Sequence, residues 1–386
     1  MRINAFPSIS PWMICRRPAA EGSDGLLENG KKSRSFYVAR GAIWHLVKLM
    51  KLNPDDTVLM PSYHCGVEVA AVQDAGAQVE YYQIRRTMQA DLLDIERRIT
   101  KNTKALFVIY YFGFPQPMHQ IVELCRKHRL ILIEDCAHVL VGWYQGKRLG
   151  EFGDYAVFSL QKCLPVPDGG VLRTSGSADL SSISLVAPPL LPLLRQAAIL
   201  LMNRLRISSA GLHSVVDRFI FRLIRVGLNV VRGHARTNTI ATLNPSAGAF
   251  VPEVVRFAMS SLSKWILGNI SIQEVIEKRR ANYSYLLKKL GEVDGFSPCF
   301  GELDDGTCPM FFPIFVRERD QVQQSLTERG IATFIFGRTL NTQLSKEEYA
   351  DAYYLSNSNL GLPVHQDLGA SELDYMCDVL RICLSV

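Results

Sequence analysis

Two periods of hydrophobic and polar residues alternate along the chain from residue 36 onward. Short apolar runs predict strands at residues 57–60, 78–82, 105–110 and 131–135. Amphipathic segments predict helices at residues 41–52, 67–75, 91–99 and 118–128. Such alternation predicts an α/β fold with a mostly parallel sheet, right-handed crossover connections and helices on both faces. We assign this pattern to a large domain at residues 36–260.

The two ends of the chain show different patterns. Residues 1–35 contain scattered Pro, Gly and Ser without a clear period, which predicts an irregular N-terminal arm. From Ile272 a long helical segment leads into apolar stretches at 311–316 and 331–336 and a helix at 320–329. This mixture predicts a smaller α+β C-terminal domain at residues 261–386.

A basic and apolar segment at about residues 180–240 is a helical insert in the large domain. It contains eight arginines, no lysine and one acid, Asp217, so its net charge is +7 in a chain of net charge +6. One helix stripe carries Arg218, Arg222, Arg225 and Arg232. Such a helix is typical of a membrane-surface element, of a contact with a partner subunit, or of a cap over an active-site mouth. No aromatic and basic motif accompanies the charge, so we expect no nucleic-acid binding.

The composition narrows the class of protein. The chain is 48% hydrophobic and 21% charged, as is usual for globular proteins. Nine single cysteines without a C-x-x-C pair argue against a disulfide framework and a zinc site, and we predict no metal. The N-terminus lacks the apolar core of a secretory signal, and no uncharged apolar run reaches the roughly 20 residues of a spanning helix. We expect a cytoplasmic protein, with peripheral membrane contact as one interpretation of the basic insert.

Two strand ends carry the candidate catalytic groups. The run 131–135 ends in Glu134 and Asp135, and ligands of open α/β sheets lie at the carboxyl ends of strands. A second apolar run at 155–160 is followed by Lys162. A pyridoxal phosphate enzyme needs such an amine for the cofactor aldehyde and an anion that keeps the pyridine nitrogen protonated. Glu134 points to the opposite face of its strand and is expected to be structural.

Together with neighbouring motifs, these residues resemble the DegT/DnrJ/EryC1/StrS aminotransferases, which are sugar aminotransferases of pyridoxal-enzyme fold type I. The matching residues are Glu134, Asp135, Ala137, His138, Gln145, Gly146, Gly153, Asp154, Phe158, Ser159, Lys162, Gly169 and Gly170. Two features depart from the family pattern. The interval between Ser159 and Lys162 is shorter, and residues 165–168 replace the usual Thr-Thr-Gly-Glu. The resemblance implies a fold-type-I homodimer with pyridoxal 5′-phosphate as the cofactor.

The resemblance also implies a role for each site residue. Lys162 would hold the cofactor and transfer protons, and Asp135 would pair with the pyridine nitrogen; a helix cap is the structural alternative for Asp135. His138 would lie beside the phenolic oxygen, unless it is a core histidine, and Ser159 would bind the phosphate. The other expected cofactor contacts are the N–H groups of Gly41 and Ala42, the flat side chains of Tyr63 and His64, and Arg256 from the neighbouring subunit. A strict alignment places Cys65 at the ring-stacking position, and Arg256 also fits a surface position.

The implied activity is the transfer of an amino group from an amino acid, glutamate or glutamine, to a keto group of a nucleotide-activated sugar. A lipid-linked or non-sugar ketone is an alternative acceptor, which the basic and apolar insert would suit. A non-catalytic homologue is a further alternative. The related sugar 3-dehydratases carry histidine in place of the lysine, so Lys162 argues against that reaction.

Overall fold

A seven-stranded sheet forms the centre of the large domain. The computed structural model describes residues 1–15, 32–208, 251–291 and 294–384. In chain order the strands of this sheet are β1 (Ser33–Phe36), β2 (Thr57–Pro61), β3 (Gln78–Tyr82), β4 (Thr103–Ile109) and β5 (Ile131–Cys136). A two-stranded hairpin of β6 (Trp143–Tyr144) and β7 (Lys147–Arg148) follows, and then β8 (Tyr155–Ser159) and β9 (Gly170–Thr174) complete the large sheet.

The large sheet has the order β1-β9-β8-β5-β4-β2-β3. Neighbours from β3 through β8 run parallel, while β9 runs antiparallel to both β8 and β1. All residues of β2 are buried, as expected of a central strand covered on both faces. The edge strand β3 exposes Gln78 and Glu80. The predicted mostly parallel sheet is therefore confirmed.

Helices connect and cover these strands. The first five are α1 (Pro11–Cys15), α2 (Ala39–Met50), α3 (Val67–Asp74), α4 (Leu92–Arg98) and α5 (Met118–His128). The side chain of Asp91 caps α4 by accepting hydrogen bonds from the N–H groups of Leu93 and Asp94. Helix α5 ends at His128 and is capped by Arg129, which adopts a left-handed conformation with φ 55°. These local signals explain why the predicted helix bounds agree with the observed ones to within a few residues.

The C-terminal domain has its own antiparallel sheet. Its strands β10 (Phe296–Pro298), β11 (Phe311–Val316) and β12 (Asn359–Pro363) lie in that order. The helices here are α7 (Ser261–Leu267), α8 (Ile272–Leu290), α9 (Arg319–Glu328), α10 (Ala350–Ser358) and α11 (Ala370–Leu384), which follow α6 (Leu190–Ser208) in chain order. The stretch 331–336 makes isolated bridges through Ile331 and Phe334 instead of a strand. The smaller α+β domain is thus present as predicted.

The N-terminal arm differs from its prediction. Residues 33–35 were expected to be irregular, but they belong to β1, whose backbone pairs with β9 at the edge of the large sheet. Ile3 forms a bridge with Ile331, and Ser8 donates two hydrogen bonds of 2.7 Å to Asp367 Oδ2. The described residues of the arm therefore attach to both domains.

Part of the basic insert is described, and it includes α6. Leu190, Leu194 and Ile199 of this helix are 65%, 50% and 37% exposed. The predicted arginine stripe from Arg218 to Arg232 lies outside the described residues. Within the described ranges, no helix combines the length and the apolar character needed to traverse a bilayer.

Candidate active site

The two candidate catalytic residues follow neighbouring parallel strands. Asp135 lies at the end of β5, and Lys162 lies in the 3-10 turn Leu160–Lys162 directly after β8. Register pairs Asp135 with Val157, two residues before the end of β8. Both side chains therefore come from the carboxyl edge of the sheet, where ligand sites of such sheets form. The charge of Lys162 lowers the pKa of Asp135, as a cation does for a carboxyl group.

Asp135 is a buried carboxyl group with few compensating contacts. It is 6% exposed, and Oδ1 accepts a hydrogen bond of 2.8 Å from the Ala137 N–H. Burial raises its pKa to about 7, with a further increase from Glu68, whereas Lys162 and the Ala137 N–H act in the opposite direction. A buried carboxylate in this environment favours a cationic partner. The nitrogen of a pyridinium ring is such a partner.

Glu134 has the structural role expected of it. It accepts hydrogen bonds from the N–H groups of Gly150 and Gly153 and from the Tyr110 hydroxyl. These contacts hold the segment between β7 and β8 against β5. The carboxylate of Glu134 is therefore used inside the domain.

His138 is a neutral hydrogen-bond donor in the candidate site. The backbone N–H of Phe112 donates to His138 Nδ1 over 3.1 Å, so the ring proton resides on Nε2. Burial and the charge of Lys162 hold the pKa of His138 well below its ordinary value. The ring packs edge-on against Phe336 with centroids 4.8 Å apart. His138 therefore presents a fixed tautomer whose Nε2–H can donate to an oxygen.

The loop that holds His138 has an unusual backbone. Phe112 adopts φ 56° and ψ 14°, a left-handed conformation that is costly for a side chain of this size. Gly113 follows with φ 94°, and a Cβ atom there would lie 2.6 Å from the Cys308 carbonyl oxygen. This loop therefore packs closely against residue 308 of the C-terminal domain, and its Phe112 N–H donates to His138.

The start of α2 lies against the glycine pair that follows the lysine turn. A Cβ atom at Gly170 would lie 2.4 Å from the Val38 carbonyl carbon and 2.5 Å from the Ala39 nitrogen. Gly41 and Ala42 are buried in the first turns of α2, and the Gly41 N–H donates to Val38 over 3.1 Å. Ser159 is buried at the end of β8 and pairs with Gly170. A helix N-terminus and a serine hydroxyl thus flank the lysine turn, a donor set suited to phosphate.

The two proposed stacking residues are both fully buried. The Tyr63 hydroxyl donates to the Phe336 carbonyl over 2.9 Å, and its ring packs against Tyr111 and Phe336. The His64 ring stacks on Tyr81 at 5.5 Å, and neither of its nitrogens has a hydrogen-bond partner among the described residues. Burial and the charge of Glu68 raise the pKa of the thiol of the next residue, Cys65, and the charge of Lys162 opposes this increase. Tyr63 is therefore engaged inside the protein, and the identity of the residue that stacks on the cofactor ring stays a prediction.

Two residues of this region, Arg40 and Glu68, were not among the predicted site residues. Cys65 donates from its N–H and from Sγ to the carboxylate of Glu68, over 2.8 and 2.7 Å. Burial lowers the pKa of the guanidinium of Arg40, at the start of α2, and the Cys65 thiol opposes this decrease. The sequence signal that could have identified these residues is their position: Arg40 precedes the glycine at the start of α2, and Glu68 lies in the first turn of α3.

Arg256 lies on the surface of the chain. Its guanidinium packs over the Phe257 ring at 5.1 Å, and the side chain is exposed. The same segment continues to Ser260, which donates to Asp168 from both N–H and Oγ. Asp168 thereby fastens the turn before the glycine pair to residues 260–263. A contact between Arg256 and the phosphate in a neighbouring subunit stays a prediction.

The chemistry of this donor set fits pyridoxal phosphate. A buried acid, an amine and a neutral N–H donor converge near the helix start that could hold a phosphate. All nine cysteines are free thiols. Among the described residues, no cluster of three or more His, Cys, Asp or Glu is arranged to hold a metal ion.

Comparison with known proteins gives the same assignment. The chain matches the sequence profile described as the DegT/DnrJ/EryC1/StrS aminotransferase family over residues 39–185 and 270–381. It is 35% identical over 135 residues to GDP-perosamine synthase of Escherichia coli O157:H7, and this alignment covers 34% of this chain and 37% of that protein. It is 34% identical over 133 residues to dTDP-4-dehydro-2,3,6-trideoxy-D-glucose 4-aminotransferase of Saccharopolyspora spinosa, covering 34% of each. The chain therefore spans little more than a third of the length of these relatives.

The fold is shared over the whole length with a solved structure. The aminotransferase TlmJ from Streptoalloteichus hindustanus superimposes with a TM-score of 0.70 at 19% identity, over 99% of both chains. At this identity the likeness concerns the fold alone. It agrees with the predicted fold-type-I architecture.

Proposed function

Since this chain belongs to the DegT/DnrJ/EryC1/StrS aminotransferase family, we propose that it is a pyridoxal-phosphate-dependent aminotransferase. It moves an amino group from an amino acid, glutamate or glutamine, to a keto group of a nucleotide-activated sugar. The observation that carries this proposal is the placement of Asp135 at the end of β5 and of Lys162 directly after β8, two neighbouring parallel strands whose carboxyl ends share one edge of the sheet. The names of two relatives contain GDP- and dTDP-linked sugars, which supports this acceptor class.

Each residue of the site has a distinct task in this reaction. The bound cofactor supplies an electron sink for the carbon from which a proton is removed. The anion of Asp135 would keep the pyridine nitrogen protonated, and its buried position would strengthen this pairing. Lys162 Nζ would hold the cofactor at rest and would transfer the proton during turnover. His138 would orient the phenolic oxygen by donating from Nε2, while the Ser159 hydroxyl and the start of α2 near Ala42 would hold the phosphate; the Gly41 N–H, expected to contact the phosphate, instead donates to the Val38 carbonyl.

Covalent labelling tests the lysine directly. The wild-type protein, incubated with pyridoxal phosphate and reduced with borohydride, should carry the label on the peptide that contains Lys162. Lys162→Ala should give no labelled peptide from this region, whereas Lys127→Ala, at an exposed lysine of α5, should label as the wild type does. Label on another lysine, or none in the wild type, contradicts the assignment.

The absorbance of the cofactor in the two half-reactions tests the substrate class. We expect the visible absorbance of the bound cofactor to decrease with glutamate or glutamine and to return with a GDP- or dTDP-linked keto sugar. Return of the absorbance only with a lipid-linked or non-sugar ketone would establish the alternative acceptor. A protein that holds the cofactor but responds to no donor would be a non-catalytic homologue.

A homodimer with shared sites follows from the role proposed for Arg256. The exposed guanidinium of Arg256 would bind the phosphate held by the partner subunit, since arginine suits phosphate recognition. Lys162→Ala and Arg256→Ala proteins, each impaired alone, should recover activity when they are mixed and allowed to exchange subunits. Absence of recovery in a mixture that contains hybrid dimers would contradict a shared site.

Peripheral membrane contact of a cytoplasmic protein is the second proposal. It is supported by the exposed Leu190 and Leu194 of α6 and by the local positive charge of the segment. The protein should float with phosphatidylglycerol vesicles at low salt and less at high salt, because salt screens exposed charges. A double Leu190→Gln, Leu194→Gln variant should float less. Leu93→Gln, at a leucine of α4 that is 64% exposed, is the matched control. A wild-type protein that does not float at low salt would disprove the membrane contact.

A further inference from the structure

Arg279 is a buried charged side chain that contacts the backbone beside the lysine turn. It belongs to α8 and is 1% exposed. Its Nη2 donates to the carbonyl oxygen of Cys163, the residue after Lys162, over 2.8 Å. A guanidinium of the C-terminal domain thus contacts the backbone next to the candidate catalytic lysine.

The other terminal nitrogen of Arg279 contacts a second segment. Nη1 donates to the carbonyl oxygens of Met310 and Pro309, over 2.9 and 3.3 Å. The Met310 N–H in turn donates to the Phe112 carbonyl over 2.8 Å. Phe112 is the residue whose N–H holds His138. One guanidinium therefore connects the turn of Lys162 with the loop that fixes His138.

The surroundings of Arg279 indicate that this connection has a use beyond packing. Within the described residues, none of the ion pairs includes Arg279, and its buried Nε has no hydrogen-bond partner. Burying a cation without an acidic partner is unfavourable, and a neutral side chain of similar size would avoid this cost. The planar fork of arginine is well suited to reach two backbone segments at once.

We propose that Arg279 is a positioning residue that fixes the backbone turn of Lys162 relative to the loop of His138. Arg279 touches neither substrate nor cofactor in this proposal and acts through the Cys163 and Met310 carbonyls. The effect on the cofactor rests on the proposed function, whereas the effect on the turn can be measured without cofactor.

The neighbouring residue provides a matched control. Arg280 lies on the same helix and also donates to backbone carbonyls, those of Asp304 and Thr307. It is half-buried and contacts a loop of the C-terminal domain. Arg280→Met therefore removes an arginine with similar backbone contacts but leaves the lysine turn untouched. Arg279→Lys keeps the charge but cannot bridge both segments, and Arg279→Met removes charge and bridge.

The first measurement is amide hydrogen exchange of the cofactor-free proteins. The turn contains the hydrogen bonds from the Cys163 and Leu164 N–H groups to the Leu160 carbonyl. We expect these amides to exchange at least about tenfold faster in Arg279→Lys and Arg279→Met, as expected for the loss of a hydrogen bond to a charged group. Arg280→Met should match the wild type. Arg279→Lys carries the test if Arg279→Met does not fold.

The second measurement is the rate at which the visible absorbance appears when pyridoxal phosphate is added. In Arg279→Lys the lysine turn should be displaced, because one hydrogen bond from a charged group is lost. This displacement should slow the covalent attachment by about tenfold. Arg280→Met should attach the cofactor at the wild-type rate. A role limited to packing would lower the unfolding midpoint of Arg279→Lys while exchange and attachment, measured well below that midpoint, stay at wild-type values. That result would overturn the proposal. If the wild type itself gains no absorbance, the proposed function fails, and the exchange measurement still decides the role of Arg279.

Discussion

The backbone N–H of Phe112 lies 3.1 Å from His138 Nδ1 and donates a hydrogen bond to it. This contact determines which nitrogen carries the proton, because Nδ1 can accept only when it is unprotonated. The low pKa that burial and Lys162 give to His138 keeps the ring neutral across the ordinary pH range. His138 is therefore a donor through Nε2 and not a cation.

We expect His138→Gln to retain cofactor binding, because a glutamine amide can also donate a hydrogen bond. His138→Ala should weaken binding by about tenfold, which corresponds to one lost hydrogen bond at a buried site. Titration of the cofactor-free variants with pyridoxal phosphate measures both affinities. Nitrogen chemical shifts of His138 should show an unprotonated Nδ1 at pH 6 to 8. Equal affinity of the alanine variant would mean that His138 serves packing alone.

Asp135 makes the stability of the cofactor-free protein depend on pH. An unfolded aspartate has a pKa of about 3.9, and the folded value of about 7 is higher. Between these values the folded chain binds one more proton than the unfolded chain, so its stability falls as the pH rises and levels off above about pH 7. Asp135→Asn removes this contribution at every pH.

The difference in the free energy of unfolding between the wild type and Asp135→Asn should change by about 2 kcal/mol between pH 5 and pH 7. The wild type should become less stable relative to the variant as the pH rises. Urea unfolding of both cofactor-free proteins at several pH values measures it. Other titrating groups, such as His138, occur in both proteins and cancel in the difference. A pH-independent difference would show that Asp135 has an ordinary pKa.

Sequence patterns predicted the elements whose signal is local. Helix α5 and strands β3 and β11 have the predicted bounds, because their apolar residues follow one period and turn residues flank them. Strand β1 was missed because its sequence, Ser33 to Phe36, contains no apolar run; it is stabilised by backbone pairing with β9. Long-range partnerships carry no local signal. Arg279 and Cys163 are separated by 116 residues, and only the packing of the C-terminal domain brings them together.

In the candidate site, too, some residues follow from local sequence signals and others depend on long-range contacts. Asp135 and Lys162 were predictable, since a strand end determines where each side chain lies. The burial of Tyr63 depends on Phe336, which comes from the other domain, so no pattern around residue 63 could reveal it. The hydrogen bonds between Cys65 and Glu68 required the exact start of α3, which periodicity gives only to within a few residues.

Gly170→Ala tests the contact between the glycine pair and the start of α2. The added methyl group would collide with the backbone of Val38 and Ala39, which cannot move without displacing α2. We expect a loss of about 2 to 3 kcal/mol of stability, typical of overpacking, together with weaker phosphate binding. Gly301→Ala, where nothing lies within 4 Å of the new atom, should change stability by less than about 0.5 kcal/mol. Similar stabilities of the two variants in urea unfolding would contradict the close approach.

The last prediction concerns the thiol of Cys65. Burial and the adjacent carboxylate of Glu68 raise the pKa of this thiol well above its ordinary value, and Lys162 opposes them. Only the thiolate is nucleophilic, so Cys65 should react slowly with iodoacetamide at pH 8 compared with the exposed Cys15. Glu68→Gln removes the negative charge and should increase the rate of alkylation at Cys65, while Lys162→Met should decrease it. Mass spectrometry of the peptides containing Cys65 and Cys15 measures both rates in each protein. The alkylation rate of Cys15 should be the same in all three proteins. A parallel change at both cysteines would indicate that the variant loosens the whole fold. An unchanged Cys65 rate in both variants would show that neither charge acts on this thiol.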